Sequence, residues 1–230
     1  MNTEGFTGKA HAYANARPSY PDEAIDYIRS LVQYNAVIAD IGAGTGKFTV
    51  LLARHGHEIF AVEPNADMRE QLSITLAQFS NVKILNSTAE ITTIPDHSVD
   101  VITCAQSLGW FDLNAFREEC RRIGKSNSIV IALYNSTPGD NHTPGSHRLS
   151  SKQAAVMFFR NPIVMEFPNP ILYTREKWLQ KNASISDNPR PNDPGYETHI
   201  AKINAIFDRD NVDGVLKHDL TTVVYSEQIA

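Results

Sequence analysis

The stretch Ala36-Val37-Ile38-Ala39-Asp40-Ile41-Gly42-Ala43-Gly44-Thr45-Gly46-Lys47-Phe48-Thr49 decides how this chain folds. Its opening run is apolar and rich in β-branched residues, the composition of a buried parallel strand. Glycines then recur at every second position, Gly42, Gly44 and Gly46, marking a turn at which the backbone must come very close to something. Phe48, Leu51 and Leu52 follow at helical spacing, and Arg54-His55-Gly56 ends in a glycine stop. The unit reads strand, glycine loop, helix. In open α/β sheets that junction lies at the carboxyl end of the strands, where ligands bind.

The glycine spacing separates the candidate ligands. A phosphate-binding loop needs Gly, four residues, then Gly-Lys-Ser/Thr, and here Ile41 holds the first glycine position and Phe48 the hydroxyl position. Without that hydroxyl there is no magnesium ligand, so a nucleoside triphosphate is disfavoured. The dinucleotide fingerprint G-x-G-x-x-G puts its third glycine where Lys47 stands, which disfavours an NAD(P)-dependent oxidoreductase. A second buried strand, Glu58 to Glu63, ends in a carboxylate placed to accept hydrogen bonds from both hydroxyls of a ribose. Capping of the helix that opens at Asn65 is the other role open to Glu63.

Asp40, the alternating glycines and Glu63-Pro64 together resemble the first motif of class I S-adenosylmethionine (SAM) dependent methyltransferases, small-molecule branch. The resemblance implies a Rossmann-like, three-layer, doubly wound α/β sheet of seven strands with an antiparallel C-terminal edge strand. It also implies SAM as cofactor, against Asp40, Gly42, Ala43, Gly44, Gly46, Glu63 and Pro64. A SAM-binding protein without catalysis is the remaining alternative.

Composition is consistent with one such domain. The chain has 230 residues, 42% of them hydrophobic, enough for one core, and the expectation is a single methyltransferase domain over 1–230. A net charge of −5 and a pI near 5.9 supply no broad basic field, so a small-molecule partner is expected rather than nucleic acid. Cys104 and Cys120 have neither metal-ligand spacing nor a disulfide framework and read as packing thiols. No metal site is expected. There is no signal-peptide core and no apolar run of spanning length, so a cytoplasmic enzyme without a membrane partner is expected.

Taken in order, residues 1–21 contain Tyr13, Arg17-Pro18 and Tyr20-Pro21, which resemble the family's amino-terminal flap over the SAM pocket. By their chemistry Tyr13 offers an amphipathic cover and Arg17 a fork for a carboxylate. Pro21 to Val32 reads as a helix with acids in its first turn, covering one face of the sheet. Another helix runs from about Ala66 to Phe79, in which Met68 either touches adenine or packs with Leu72 and Leu76. Val82 to Asn86 is a third strand. Ser87-Thr88-Ala89-Glu90 after it resembles the family's adenine-reading segment, which nominates Ala89 and Glu90.

Val99 to Ala105 reads as the fourth strand. Gln106-Ser107-Leu108-Gly109-Trp110-Phe111-Asp112 resembles the family's post-strand motif, with Gln106 at the site and Gly109 where relatives commonly carry histidine. A helix over Asn114 to Ile123 and a fifth strand over Ser128 to Tyr134 complete the alternation. Eight of the twelve prolines then fall between Pro138 and Pro194, and residues 136–195 are expected to form a lid between core strands, with basic and histidine side chains able to grip an anionic substrate. Tyr196 to Phe207 reads as a helix and Val215 to Ser226 as strand. No nucleophile-and-base pattern stands out. Direct methyl displacement needs none, because orienting the acceptor alone can supply on the order of 7 to 11 kcal/mol.

Overall fold

A computed structural model describes residues 17–137, 149–185 and 188–229. Tyr13 and most of the expected amino-terminal flap lie outside the described residues.

Strand and helix alternate through the first half: α1 (Asp22–Leu31), β1 (Val37–Ile41), α2 (Thr49–Ala53), β2 (Glu58–Val62), α3 (Ala66–Leu76), β3 (Val82–Leu85) and β4 (Val99–Ala105). A single 3₁₀ turn, Leu108–Trp110, leads to α4 (Leu113–Ile123) and the long β5 (Gly124–Ser136). The second half contains α5 (Ser151–Phe158), β6 (Ile163–Pro168), β7 (Ile171–Thr174), α6 (Arg175–Ala183), α7 (Tyr196–Asp210), β8 (Val215–His218) and β9 (Thr221–Gln228). Side-chain caps start several helices where the sequence places a short polar residue. Asn65 Oδ1 accepts from the Met68 amide, Asp112 from the amides of Asn114 and Ala115, and Ser150 forms a capping box with Gln153.

The main sheet has the order β3-β2-β1-β4-β5-β9-β6. β1 to β5 pair in parallel, β9 runs antiparallel to β5, and β6 runs antiparallel to β9. The antiparallel C-terminal strand is therefore present, one place in from the edge, because β6 pairs along its outer side. Within the stretch expected as a lid, Ile163–Pro168 thus belongs to the main sheet, while β7 pairs with β8 as a separate two-stranded sheet. The β-rich run from Val215 divides at Asp219-Leu220 between those two sheets.

Alternation along the strands sorts two cores. Ile38, Ile59, Val101, Ile131 and Leu133 face α1 and α2, where Ile25, Ile28 and Leu52 are buried. Ala39, Ile41, Ile102 and Cys104 face α4 and α5, packing against Phe116, Cys120 and Phe158. Both cysteines are free and buried, and burial pushes both thiols up, as befits packing groups. A satellite core of Tyr173, Trp178, Phe207 and Leu216 holds the β7–β8 sheet against α6 and α7. The strand order reverses between β1 and β4, so the crevice at their carboxyl ends is the switch point at which such sheets bind ligands. No described helix is long and apolar enough to cross a membrane.

Candidate functional site

The glycine loop occupies that switch point. The amides of Gly42 and Ala43 both donate to the Val62 carbonyl at 2.9 Å, tying the loop to the end of β2. A Cβ at Gly42 would lie 2.6 Å from Ser107 Cβ, so only glycine lets β1 end this close to the segment after β4. At Gly46 a Cβ would lie 2.8 Å from Leu72 of α3. Gly44 differs. Its φ is +58° and, among the described residues, nothing lies within 4 Å of its Cβ direction, so the bare backbone there faces open space between them.

Two carboxylates flank the loop. Glu63 is 7% exposed; its Oε2 accepts from the Gly44 amide at 2.9 Å and its Oε1 from the Asn65 amide at 2.8 Å. Burial raises its pKa against the pull of those two bonds. The capping role belongs to the Asn65 side chain, which leaves Glu63 to organise the loop. A carboxylate offers about four lone-pair positions, so two accepted bonds leave acceptor capacity for ligand hydroxyls.

Asp40 is 1% exposed, with Thr49 Oγ1 donating to Oδ2 at 2.6 Å and Thr103 Oγ1 to Oδ1 at 2.9 Å. Burial pushes its pKa up to about 6, because two neutral donors do not replace water.

Above the loop is a cavity of about 350 Å³, lined by Arg17, Asp40, Gly42, Ala43, Gly44 and Gln106 from the sequence-nominated set. Lys47, Asn135, Ser151, Lys181 and His218 also line it, and sequence reasoning did not nominate them. Lys47 was legible only as part of a failed phosphate-loop pattern. Asn135 at the end of β5 was legible as a strand terminus, whereas Lys181 and His218 carried no local signal. Lys47 Nζ donates to the Arg17 carbonyl at 2.7 Å, and burial, then the Arg17 charge, lowers its pKa. Gln106 holds a left-handed φ of +60° with its amide on the Leu133 carbonyl, a local strain spent where β4 opens into the cavity.

Of the other nominated residues, Tyr13 lies outside those described, and Gly46, Glu63, Pro64, Met68, Ala89 and Glu90 are not among the lining residues. Met68 and Ala89, 2% and 1% exposed, are packed in the core, and Gly46 packs against α3. The Pro64 carbonyl accepts from Arg69, and Glu90 Oε1 accepts from the Asp112 amide at 3.0 Å. At Gly109 a Cβ would stand 2.5 Å from the Leu149 carbonyl oxygen, so the segment leading into α5 closes over this position. No group of three or more metal-ligating side chains occurs among the described residues.

A doubly wound sheet with this strand order, a glycine loop after its first strand and an acidic residue after its second defines the class I methyltransferase fold. The sequence is similar in the same region: residues 39–132 match the family described as methyltransferase domain. An uncharacterised methyltransferase of Mycobacterium tuberculosis is 39% identical over 131 residues, covering 57% of this chain and 52% of that protein. A candidate methyltransferase of Dictyostelium discoideum is 37% identical over 131 residues, 56% of this chain and 48% of that one. The matched segment thus spans about half the length of these relatives. In fold, the chain is similar to the structure of a candidate type II methyltransferase from Anaeromyxobacter dehalogenans, with a TM-score of 0.70, 18% identity, and coverage of 93% of this chain and 98% of that one.

Proposed function

We propose that the chain transfers a methyl group from SAM to a small-molecule acceptor by direct displacement. The observation that carries this reading is the pairing of Gly44, whose side-chain-free backbone lines the cavity, with Glu63, the buried carboxylate that accepts its amide and has acceptor capacity left. The residues fit the cofactor. Glu63 would take the ribose hydroxyls, the bare loop at Gly44 would let the nucleoside approach, and the Arg17 guanidinium suits a carboxylate.

The cofactor supplies an already activated methyl group, so the protein has mainly to position and dry the site. Gln106, Asn135 and Ser151 offer polar groups around the cavity, and Tyr20 and Phe48, in edge contact at 5.5 Å, form an apolar part of its wall. Nothing in this arrangement requires a metal, and a general base is needed only where the acceptor must lose a proton.

The test is ligand-dependent stability. S-adenosylhomocysteine and SAM should raise the melting temperature, while NAD and ATP should not, since only a ligand of the native state shifts unfolding. Stabilisation by NAD alone would replace this reading with the oxidoreductase one.

A further inference from the structure

One wall of the cavity is held in place by side chains. Arg17, Pro18 and Tyr20 line the cavity, and residues 17–20 carry neither helix nor strand. The glycine loop is tied down by its own backbone amides and by the buried Glu63. The bonds that fix the carbonyls of this strap come instead from three separate segments. Lys47 Nζ, just before α2, donates to the Arg17 carbonyl at 2.7 Å. Asn135 Nδ2, on β5, and Asn169 Nδ2, in the turn between β6 and β7, both donate to the Ser19 carbonyl, at 3.1 and 2.9 Å. These amides are not free to turn away. Thr222 on β9, fully buried, donates through Oγ1 to Asn135 Oδ1 at 2.6 Å and accepts from Asn169 Nδ2 at 3.2 Å, while Asn169 Nδ2 also reaches Asn135 Oδ1 at 3.1 Å. With its oxygen fixed by these donors, the Asn135 amide has to present Nδ2 to the strap.

The strap is stiff and anchored at one end. Pro18 and Pro21 restrict φ, and the Pro21 carbonyl accepts the first amides of α1, from Ala24 at 3.0 Å and Ile25 at 3.2 Å. Beyond that anchor, the side-chain bonds to Arg17 and Ser19 and the edge contact of Tyr20 with Phe48 hold the wall against the cavity, with a long bond of 3.4 Å from Arg17 Nη2 to the Ser184 carbonyl after α6. A stiff segment held by a few side-chain bonds opens as a unit at lower cost than a strand within a ladder, and segments that admit ligands are drawn from that low-stability end.

Building on the methyltransferase reading, we propose that Lys47, Asn135, Asn169 and Thr222 form a latch on the 17–20 strap, and that the cofactor enters and leaves when this latch opens. Asn169 and Thr222 are not among the cavity's lining residues, so they act on the ligand through the strap and are positioning residues. A latch is distinguishable from a ligand contact. Where the closed strap predominates with and without ligand, loosening it favours opening equally in both states, so association and dissociation speed up together and Kd holds. Loss of a ligand contact raises the dissociation rate and Kd together.

Surface plasmon resonance with the immobilised full chain reads both rates for S-adenosylhomocysteine. Asn169→Ala and Thr222→Val should each raise association and dissociation by about three- to tenfold, the loss of one neutral hydrogen bond, with Kd changed by less than about twofold. Asn81→Ala is the control, because Asn81 Nδ2 holds the Ala53 and His57 carbonyls, at 3.0 and 2.7 Å, at the amino ends of β2 and β3, away from the cavity. It should lower the urea midpoint and leave both rates unchanged. A second readout needs no ligand. Spin labels at Ser19→Cys on the strap and Glu70→Cys on α3, both exposed positions, attach selectively because Cys104 and Cys120 are buried. Their distance should be single in the otherwise unchanged chain and gain a second population in Lys47→Met and Asn169→Ala. Where Asn169→Ala fails to fold, Thr222→Val reads the same rates and Lys47→Met the same distance. Unchanged rates, dissociation rising alone, equal acceleration in Asn81→Ala, or a distance that stays single overturns the latch. A second population in a chain that binds no S-adenosylhomocysteine upholds the latched strap and overturns the cofactor reading.

Discussion

Glu63 holds Gly44: its Oε2 accepts the Gly44 amide at 2.9 Å, joining the end of β2 to the crest of the glycine loop after β1. The same carboxylate holds the Asn65 amide, so one buried side chain fixes both the loop and the approach to α3. Replacing Glu63 with Ala removes the acceptors intended for the ribose. Each hydrogen bond to a charged group is worth roughly 1.5 to 3 kcal/mol, so the dissociation constant of S-adenosylhomocysteine should rise by about ten- to more than a hundredfold, read by calorimetry. Unchanged affinity would confine Glu63 to organising the loop.

Gly44→Val distinguishes open space from structural need. Among the described residues no atom lies within 4 Å of a Cβ there, so the strain comes from the positive φ, at a cost of about 1 to 2 kcal/mol by the general penalty for that region. The variant should therefore fold, with a modest loss in a urea melt, and yet fail to bind S-adenosylhomocysteine. Normal binding by a folded variant would show that the ligand does not pass over Gly44.

Gly109→Ala should behave in the opposite way. Its methyl group would meet the Leu149 carbonyl oxygen at 2.5 Å, and backbone on both sides leaves little room to yield. Overpacking of this kind typically costs about 1 to 3 kcal/mol, so the urea midpoint should drop. A midpoint equal to that of the parent would mean that the segment before α5 moves aside freely.

Asp40 gives a pH signature. Its folded pKa, about 6, lies above the ordinary carboxyl value of 3.8, so between those values the folded state binds more protons than the unfolded one. For a carboxyl shifted upward, stability is greatest below the unfolded pKa and falls as pH rises through the folded one. Asp40→Asn abolishes this dependence. Relative to the variant, the parent should lose on the order of 2 to 3 kcal/mol between about pH 4 and pH 7, measured as the difference between paired urea melts. A difference that stays constant across that range would place the Asp40 pKa at its ordinary value.

Much of the architecture was legible because it rests on local periodicity. The β-branched run before Gly42, the apolar spacing of Ile25 and Ile28 in α1, and the four-residue spacing of Met68, Leu72 and Leu76 in α3 state their burial directly, and all of these residues are buried except Val37, which is partly so. The glycine loop announced a close approach, although the three glycines turn out to serve three neighbours: Ser107, α3 and open space.

What the sequence by itself determined, then, is the strand-loop-helix units, their parallel order and the position of the ligand crevice, since each follows from spacing within a few residues. Only the tertiary structure decided that Ile163–Pro168 closes the main sheet, that the run from Val215 divides between two sheets, that Thr49 and Thr103 are the partners of Asp40, and that Lys181 and His218 share a cavity with Lys47. The physical reason is range: hydrophobic period and turn chemistry act between near neighbours, whereas strand partners and cavity walls are set by packing among segments far apart in the chain, which leaves no local mark on the residues that meet.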